Sequence, residues 1–163
     1  MTMRIVVMGV SGCGKSTVGR MLADRLEANF VDGDDLHPEE NKAKMAAGIA
    51  LNDEDRWGWL NSVGAVLSEE QGAVVACSAL KRKYRDQIRK IAPGTVFIHL
   101  HGTKELLASR LENRTNHFMP SSLLDSQLNT LEPLQSDEAG IVLNIAESLE
   151  LLVSKSLEYL KTS

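Results

Sequence analysis

Residues 8–17 read MGVSGCGKST and follow directly on the apolar run Ile5-Val6-Val7. Gly9, Gly14, Lys15 and Ser16 stand in the spacing GxxxxGK(S/T), after a predicted strand and before a predicted helix, the context that gives this motif its meaning. Glycines let successive backbone N–H groups curl round phosphate oxygens with no side chain in the way, and the helix N-terminus adds partial positive charge. Lys15 is expected to reach the β and γ phosphates and the Ser16 hydroxyl to ligate Mg2+. The expected phosphate contacts are therefore the whole turn, Gly9, Val10, Ser11, Gly12, Cys13, Gly14, Lys15, Ser16 and Thr17. With glycine at roughly 7% of residues, four such positions coincide by chance in about one chain in a few hundred. The strand and helix on either side lower that further.

At 163 residues and 43% hydrophobic, the chain can bury one proper core and is short for two ordinary domains. A net charge of −4 leaves no general basic field for nucleic acid or an anionic membrane, so any anion must be held by a local cluster. No stretch approaches the ~18 apolar residues of a membrane span, and the first apolar run is too short for a signal-peptide core. The expectation is a cytoplasmic protein with neither nucleic-acid nor membrane partners. Two cysteines, Cys13 and Cys77, are too few for a disulfide framework or a four-ligand zinc site and read as buried thiols.

Short β-branched runs alternate with longer helical segments, the pattern of βαβ units and a parallel sheet. Strands are predicted over residues 4–8, 29–32, 73–77, 95–100 and 141–145, and helices over 15–27, 38–47, 53–70, 83–91, 104–113, 121–131 and 147–160. Three of the strands are continuous apolar runs, as expected where helices cover both faces. The four prolines, Pro38, Pro93, Pro120 and Pro133, fall where helices should begin or end.

Triphosphate binding alone leaves a kinase, a GTPase switch and a motor open. The guanine-reading (N/T)KxD segment is missing, and the third strand ends Val74-Val75-Ala76-Cys77-Ser78 rather than on the acidic residue of a motor. Carboxylates instead end the second strand, in FVDGDDLH. Asp32 and Asp34 can both address the crevice at the carboxyl end of the sheet, one organising the water shell of Mg2+ and the other accepting a hydroxyl proton. The competing reading is an Asx-rich turn in which Asp35 caps the next helix. His37 is balanced between a ligand and a capping residue.

Taken with these segments, the chain resembles the gluconate kinases, small P-loop kinases related to shikimate and nucleoside monophosphate kinases. The resemblance covers nearly the whole chain, through MGVSGCGKST, FVDGDDLHPEENKAKMAAGIALNDEDRWGWL, CSALKRKYRDQIR and RLENRTNHFMPSSLLDSQLNTLEPL, in that order. Gly58 stands where that family usually has proline, and Cys13 where it often has serine. What it implies is a single three-layer α/β/α P-loop kinase domain over 1–163, with a five-stranded parallel sheet and a small helical lid at about 114–131. The implied reaction is Mg2+- and ATP-dependent phosphorylation of the 6-hydroxyl of D-gluconate. The alternatives are another small-molecule kinase, of the shikimate or nucleoside monophosphate type, and a non-catalytic nucleotide-binding module. Relatives of this kind are commonly homodimers, so a homodimer is one expected assembly.

A sugar acid needs a cation and several hydrogen-bonding side chains. Arg56, Lys81 and Arg85 are the candidate cations, with Asp34 and His37 completing the expected substrate contacts, and the resemblance gives Arg56 the carboxylate. Lys83 and Arg82 read as a solvated helix face. Arg110 and Arg114 lie one helical turn apart and can address the same anion. By resemblance they form the base of a lid that brings arginine to the phosphates, which makes Lys15, Asp34 and Arg114 the expected catalytic set. Ser16 and, through water, Asp32 are the expected metal contacts. TNHFMPSSLLDSQ reads as the lid itself, with His117 and Gln127 unassigned, and Asn144-Ile145-Ala146-Glu147 as the adenine side.

Overall fold

The computed structural model describes residues 3–49, 51–112 and 121–162. They form strands β1 (Met3–Met8), β2 (Phe30–Asp32), β3 (Gly72–Ala76), β4 (Val96–His101) and β5 (Gly140–Asn144). The helices are α1 (Lys15–Leu26), α2 (Glu39–Ala46), α3 (Asp53–Ser68), α4 (Arg82–Ile91), α5 (Lys104–Glu112), α6 (Ser121–Thr130) and α7 (Leu149–Thr162). The strands pair in the order β2-β3-β1-β4-β5, every pair parallel, so the expected α/β/α architecture is present.

β1 occupies the centre of the sheet and is buried on both faces, which explains its unbroken apolar run. Its side chains alternate between two cores. Ile5 and Val7 pack with Val18, Leu22, Ile98, Leu100 and Val153, while Val6 and Met8 pack with Leu60, Val63, Val75, Ile88 and Phe97. Helices α1 and α7 contribute to the first core, α3 and α4 to the second. Both free cysteines are buried, as expected, and burial pushes the Cys77 thiol up to about 12.

Each predicted strand and helix exists, with ends that agree to within two residues. Thr95 falls outside β4 because its backbone N–H and its hydroxyl both turn back to the Ala92 carbonyl. α3 starts at its predicted residue because Asn52 and Asp55 form a reciprocal capping box, with three acidic residues in the first turn. The helix runs straight through Gly58, around which there is open space. The element the pattern did not predict is a 3-10 turn, Gly33–Leu36, directly after β2.

A buried ion pair secures the far side of the second core. Arg85 and Glu138 are both fully buried and bond through Nε to Oε1 at 2.7 Å and through Nη2 to Oε2 at 3.1 Å. The remaining Arg85 donors reach the carbonyls of Ala79 and Pro133, and Gln135 N–H donates to Glu138 Oε2. Removing Glu138 would leave the Arg85 charge buried and unpaired, a loss of about 3–5 kcal/mol, whereas Glu138 also pairs with Arg89 Nη2 at 2.8 Å.

His99 lies on β4 within the electrostatic reach of this pair. It is 2% exposed, and neither ring nitrogen has a hydrogen-bond partner among the described residues. Burial, then His101 and Arg85, lower its pKa from 6.5 to about 4. Above pH 6.5 neither state holds the proton; as pH falls from 6.5 towards 4 the unfolded chain takes it up first, so the fold loses stability in that window. The expected loss is about 3 kcal/mol. Urea unfolding on either side of the window measures it, and His99→Leu should flatten the slope; an equal slope in parent and variant would discard this account.

Candidate active site

β1 delivers the chain at Met8 into the glycine turn at the carboxyl end of the sheet, beside the point where strand order reverses. Gly9 has φ 149°, and a Cβ there would lie 2.7 Å from both Cys13 Sγ and the Leu100 carbonyl oxygen. Gly14, at φ 92°, is the left-handed N-cap of α1 and accepts from Val18 N–H. No side chain caps α1, so its first N–H groups stay aimed at the crevice. Val10 and Cys13 bury their side chains in the core, so they can serve the crevice through backbone alone. Thr17 is exposed in the first turn of α1.

One small crevice is lined by Ser11, Gly12, Gly14, Lys15, Ser16, Asp32, Asp34 and Ala76. It brings the glycine turn and the second-strand carboxylates together, as expected. Lys15 Nζ donates to the Val10 carbonyl at 3.2 Å, and Ser16 Oγ lies 3.3 Å from Asp32 Oδ2. Asp32 Oδ1 accepts from Asp34 N–H at 3.0 Å and so caps the 3-10 turn. Part of the Asx-turn reading is therefore correct, but the capping residue is Asp32 rather than Asp35. Asp34 itself is exposed at the crevice.

His37 ends the 3-10 turn, 8% exposed and stacked on Trp59 with ring centroids 4.3 Å apart. Trp59 Nε1 donates to the Gly33 carbonyl at 2.7 Å, which ties α3 to the acidic turn. Asn41 Nδ2 donates to the Asp55 carbonyl and to His37 Nδ1, so His37 is neutral with its proton on Nε2. Burial, chiefly, lowers the His37 pKa, while Asp34 opposes the shift and Arg56 adds to it.

The cations divide sharply. Arg56 and Lys81 gather around Tyr84: Arg56 Nη1 donates to Tyr84 Oη at 3.1 Å, and the Lys81 ammonium sits 5.8 Å from the ring centroid. Tyr84 Oη donates to Asp53 Oδ1 at 2.6 Å, and Trp57 meets the Tyr84 ring edge-on. Bonds from Lys83 and Tyr84 hold the Asp53 carboxyl down at about 2, and burial with the Asp53 bond pushes the Tyr84 phenol up to about 12. Lys83 is therefore a partner of Asp53 and not merely a solvated side chain. Arg82 likewise holds Asp137 and Gln135.

Arg85 does not join this group. Its guanidinium is enclosed with Glu138 and two carbonyls, so the expectation that it contacts a substrate is corrected: α4 turns this side chain into the core, away from the face that presents Lys81. Arg110 Nη2 donates to the Ile145 carbonyl at 2.6 Å, on the loop expected to border adenine. Arg114 and His117 lie outside the described residues.

Sequence reasoning passed over Tyr84, Asp53 and Asn41. A tyrosine three residues after Lys81, between Lys83 and Arg85, was the available signal for the first. Asp53 and Asn41 carry no such mark, because they act through contacts between separate helices.

Gly9→Ala tests the turn directly. Both the contacts and the dihedral oppose a Cβ, so a cost of about 2–3 kcal/mol in urea unfolding is expected; an unaltered midpoint would mean that the turn is not held as described.

Comparison with known proteins identifies the family and the fold. The family model described as Shikimate kinase matches residues 11–161. A probable gluconokinase of Xenopus tropicalis is 44% identical over 172 residues, covering 94% of this chain and 90% of the relative. A gluconokinase of Gluconobacter oxydans (strain 621H) is 49% identical, covering 84% of this chain and 79% of the relative. The crystal structure of a gluconokinase from Sinorhizobium meliloti 1021 superposes with a TM-score of 0.91 at 48% identity, over 99% of this chain and 93% of that one. By matched length, identity and superposed fold, the chain belongs to the gluconokinase family of shikimate-kinase-like enzymes.

Proposed function

We propose that this protein transfers the γ-phosphoryl group of ATP to the 6-hydroxyl of D-gluconate, giving 6-phospho-D-gluconate and ADP. One observation carries the reading: a phosphate-type glycine turn shares its crevice with Asp34, and His37, which ends the same acidic turn, is tied through Asn41 to the Asp55 carbonyl, next to Arg56 of the Arg56–Tyr84–Lys81 cluster. A triphosphate, a hydroxyl and a carboxylate thus each have a complementary neighbour.

The turn would grip the triphosphate through backbone N–H groups and the N-terminus of α1, with Lys15 leaving the Val10 carbonyl for phosphate oxygens. Ser16 Oγ and Asp32 Oδ2, 3.3 Å apart at the crevice, are the oxygen donors that suit a hard cation. That fits Mg2+, which relies on phosphate oxygens and water for most of its coordination. Bound there, the ion would supply positive charge to the phosphate oxygens. Asp34 accepts the proton as the hydroxyl oxygen bonds to phosphorus and the bond to the ADP oxygen breaks. Arg56 takes the acid through its planar fork, held in place by Tyr84 and Asp53. Arg110 and Arg114 supply further positive charge, on the resemblance stated above.

A coupled ADP-release assay on gluconate, shikimate and a panel of nucleoside monophosphates tests this. Turnover on gluconate is expected, and none on any sugar acid would refute it. Asp34→Asn should keep nucleotide affinity and reduce turnover by about 10²–10⁴-fold; unchanged turnover removes the carboxylate from the reaction. Tyr84→Phe frees the Arg56 fork and should raise the KM for gluconate about tenfold with little change in kcat; a pure kcat effect would place Tyr84 elsewhere in the mechanism.

A further inference from the structure

Ser11 is the third residue of the glycine turn and lines its crevice, yet its backbone N–H is already engaged. It donates at 2.7 Å to Oε1 of Gln127, 116 residues further along the chain. Gln127 lies on α6, which is firmly seated on both sides of this residue. Leu124, one helical turn earlier on the same face, is 1% exposed in the core, and Leu128 and Leu131 pack against that core. Lys104 pairs with Asp125 at 2.7 Å, joining α6 to α5. Just past α6, Glu132 N–H donates to the Leu80 carbonyl and Glu132 Oε1 accepts from Arg82 N–H, so the same stretch also holds the chain flanking Lys81.

The outer limb of the turn, residues 10–12, is anchored by the buried Val10 side chain and by Cys13 N–H on the Val10 carbonyl, and two side chains bond to its backbone. Lys15 Nζ holds the Val10 carbonyl and Gln127 holds the Ser11 amide. Lys15 cannot serve Val10 fully once its donors turn to phosphate oxygens, and Gln127 then makes the remaining side-chain bond to the backbone of this limb, at Ser11, whose own N–H has no other partner among the described residues. A neutral carboxamide suits the task, since a carboxylate of the same reach would oppose the incoming triphosphate.

We infer that Gln127 is a positioning residue for phosphoryl transfer: by holding the Ser11 amide it fixes the outer limb of the turn against which the terminal phosphate is seated. This rests on the reading that the turn holds a triphosphate and does not depend on which acceptor is used.

Gln127→Leu in the full chain removes the bond at nearly constant size. Exchange of the Ser11 amide in the nucleotide-free protein should accelerate at least tenfold, and Gln127→Glu, which keeps an acceptor of similar length, should restore its protection. Affinity of Gln127→Leu for a non-hydrolysable ATP analogue should fall at least fivefold while affinity for ADP stays within twofold. Unchanged Ser11 exchange, or equal losses for the analogue and ADP, overturns the proposal. Should Gln127→Leu fold poorly, Gln127→Asn, too short to reach Ser11, is read by the same measurements. Neither readout uses gluconate, so absence of turnover on that acid would count against the proposed substrate and leave this test intact.

Discussion

The site depends on a single central strand buried on both faces. β1 commits Ile5 and Val7 to one core and Val6 and Met8 to the other, so it can neither slip by one residue nor tilt without exposing apolar surface on both sides. Its end point is therefore fixed in space, and the glycine turn begins there. A left-handed N-cap at Gly14 and the close approach of Gly9 to Leu100 then leave the first amides of α1 facing the crevice. Phosphate affinity in such an arrangement comes from backbone geometry that the sheet enforces.

Around that fixed point, similar side chains acquire different work from their surroundings. Arg56 and Arg85 both approach the second core, but Arg85 finds a carboxylate and two carbonyls in a fully enclosed position and serves structure. Arg56 meets Tyr84 and Asp53 at a partly open edge, which orients the fork while leaving capacity for an anion. Asp32 and Asp34 divide similarly. Asp32 spends one oxygen on capping the 3-10 turn and faces Ser16 with the other, while Asp34 remains exposed beside the turn it helps to start. Trp59, through its bond to Gly33 and its stack on His37, keeps α3 and the acidic turn in one rigid unit.

Several local signals turned out to serve two purposes. LNDEDR marks relatives by resemblance, and in the structure it is also a capping box with an acidic first turn. The aspartates that start α3 include Asp53, which organises Tyr84 and Lys83, and Asp55, which holds Lys44 and Asn52. Helix initiation and site construction are thus the same few residues, so a change made for one alters the other.

What the sequence determined alone is what depends on neighbours within a few residues: the order of strands and helices from apolar periodicity, the glycine turn from its spacing, and α3 from its cap. Those effects are local, and local chain chemistry carries them. Only tertiary structure decided that Arg85 is spent on Glu138, that Tyr84 gathers Arg56, Lys81 and Asp53, and that Gln127 reaches Ser11. Each of these joins segments distant in the chain, and whether a charge meets a partner, a ligand or water is settled by which face of its helix the packing turns inward.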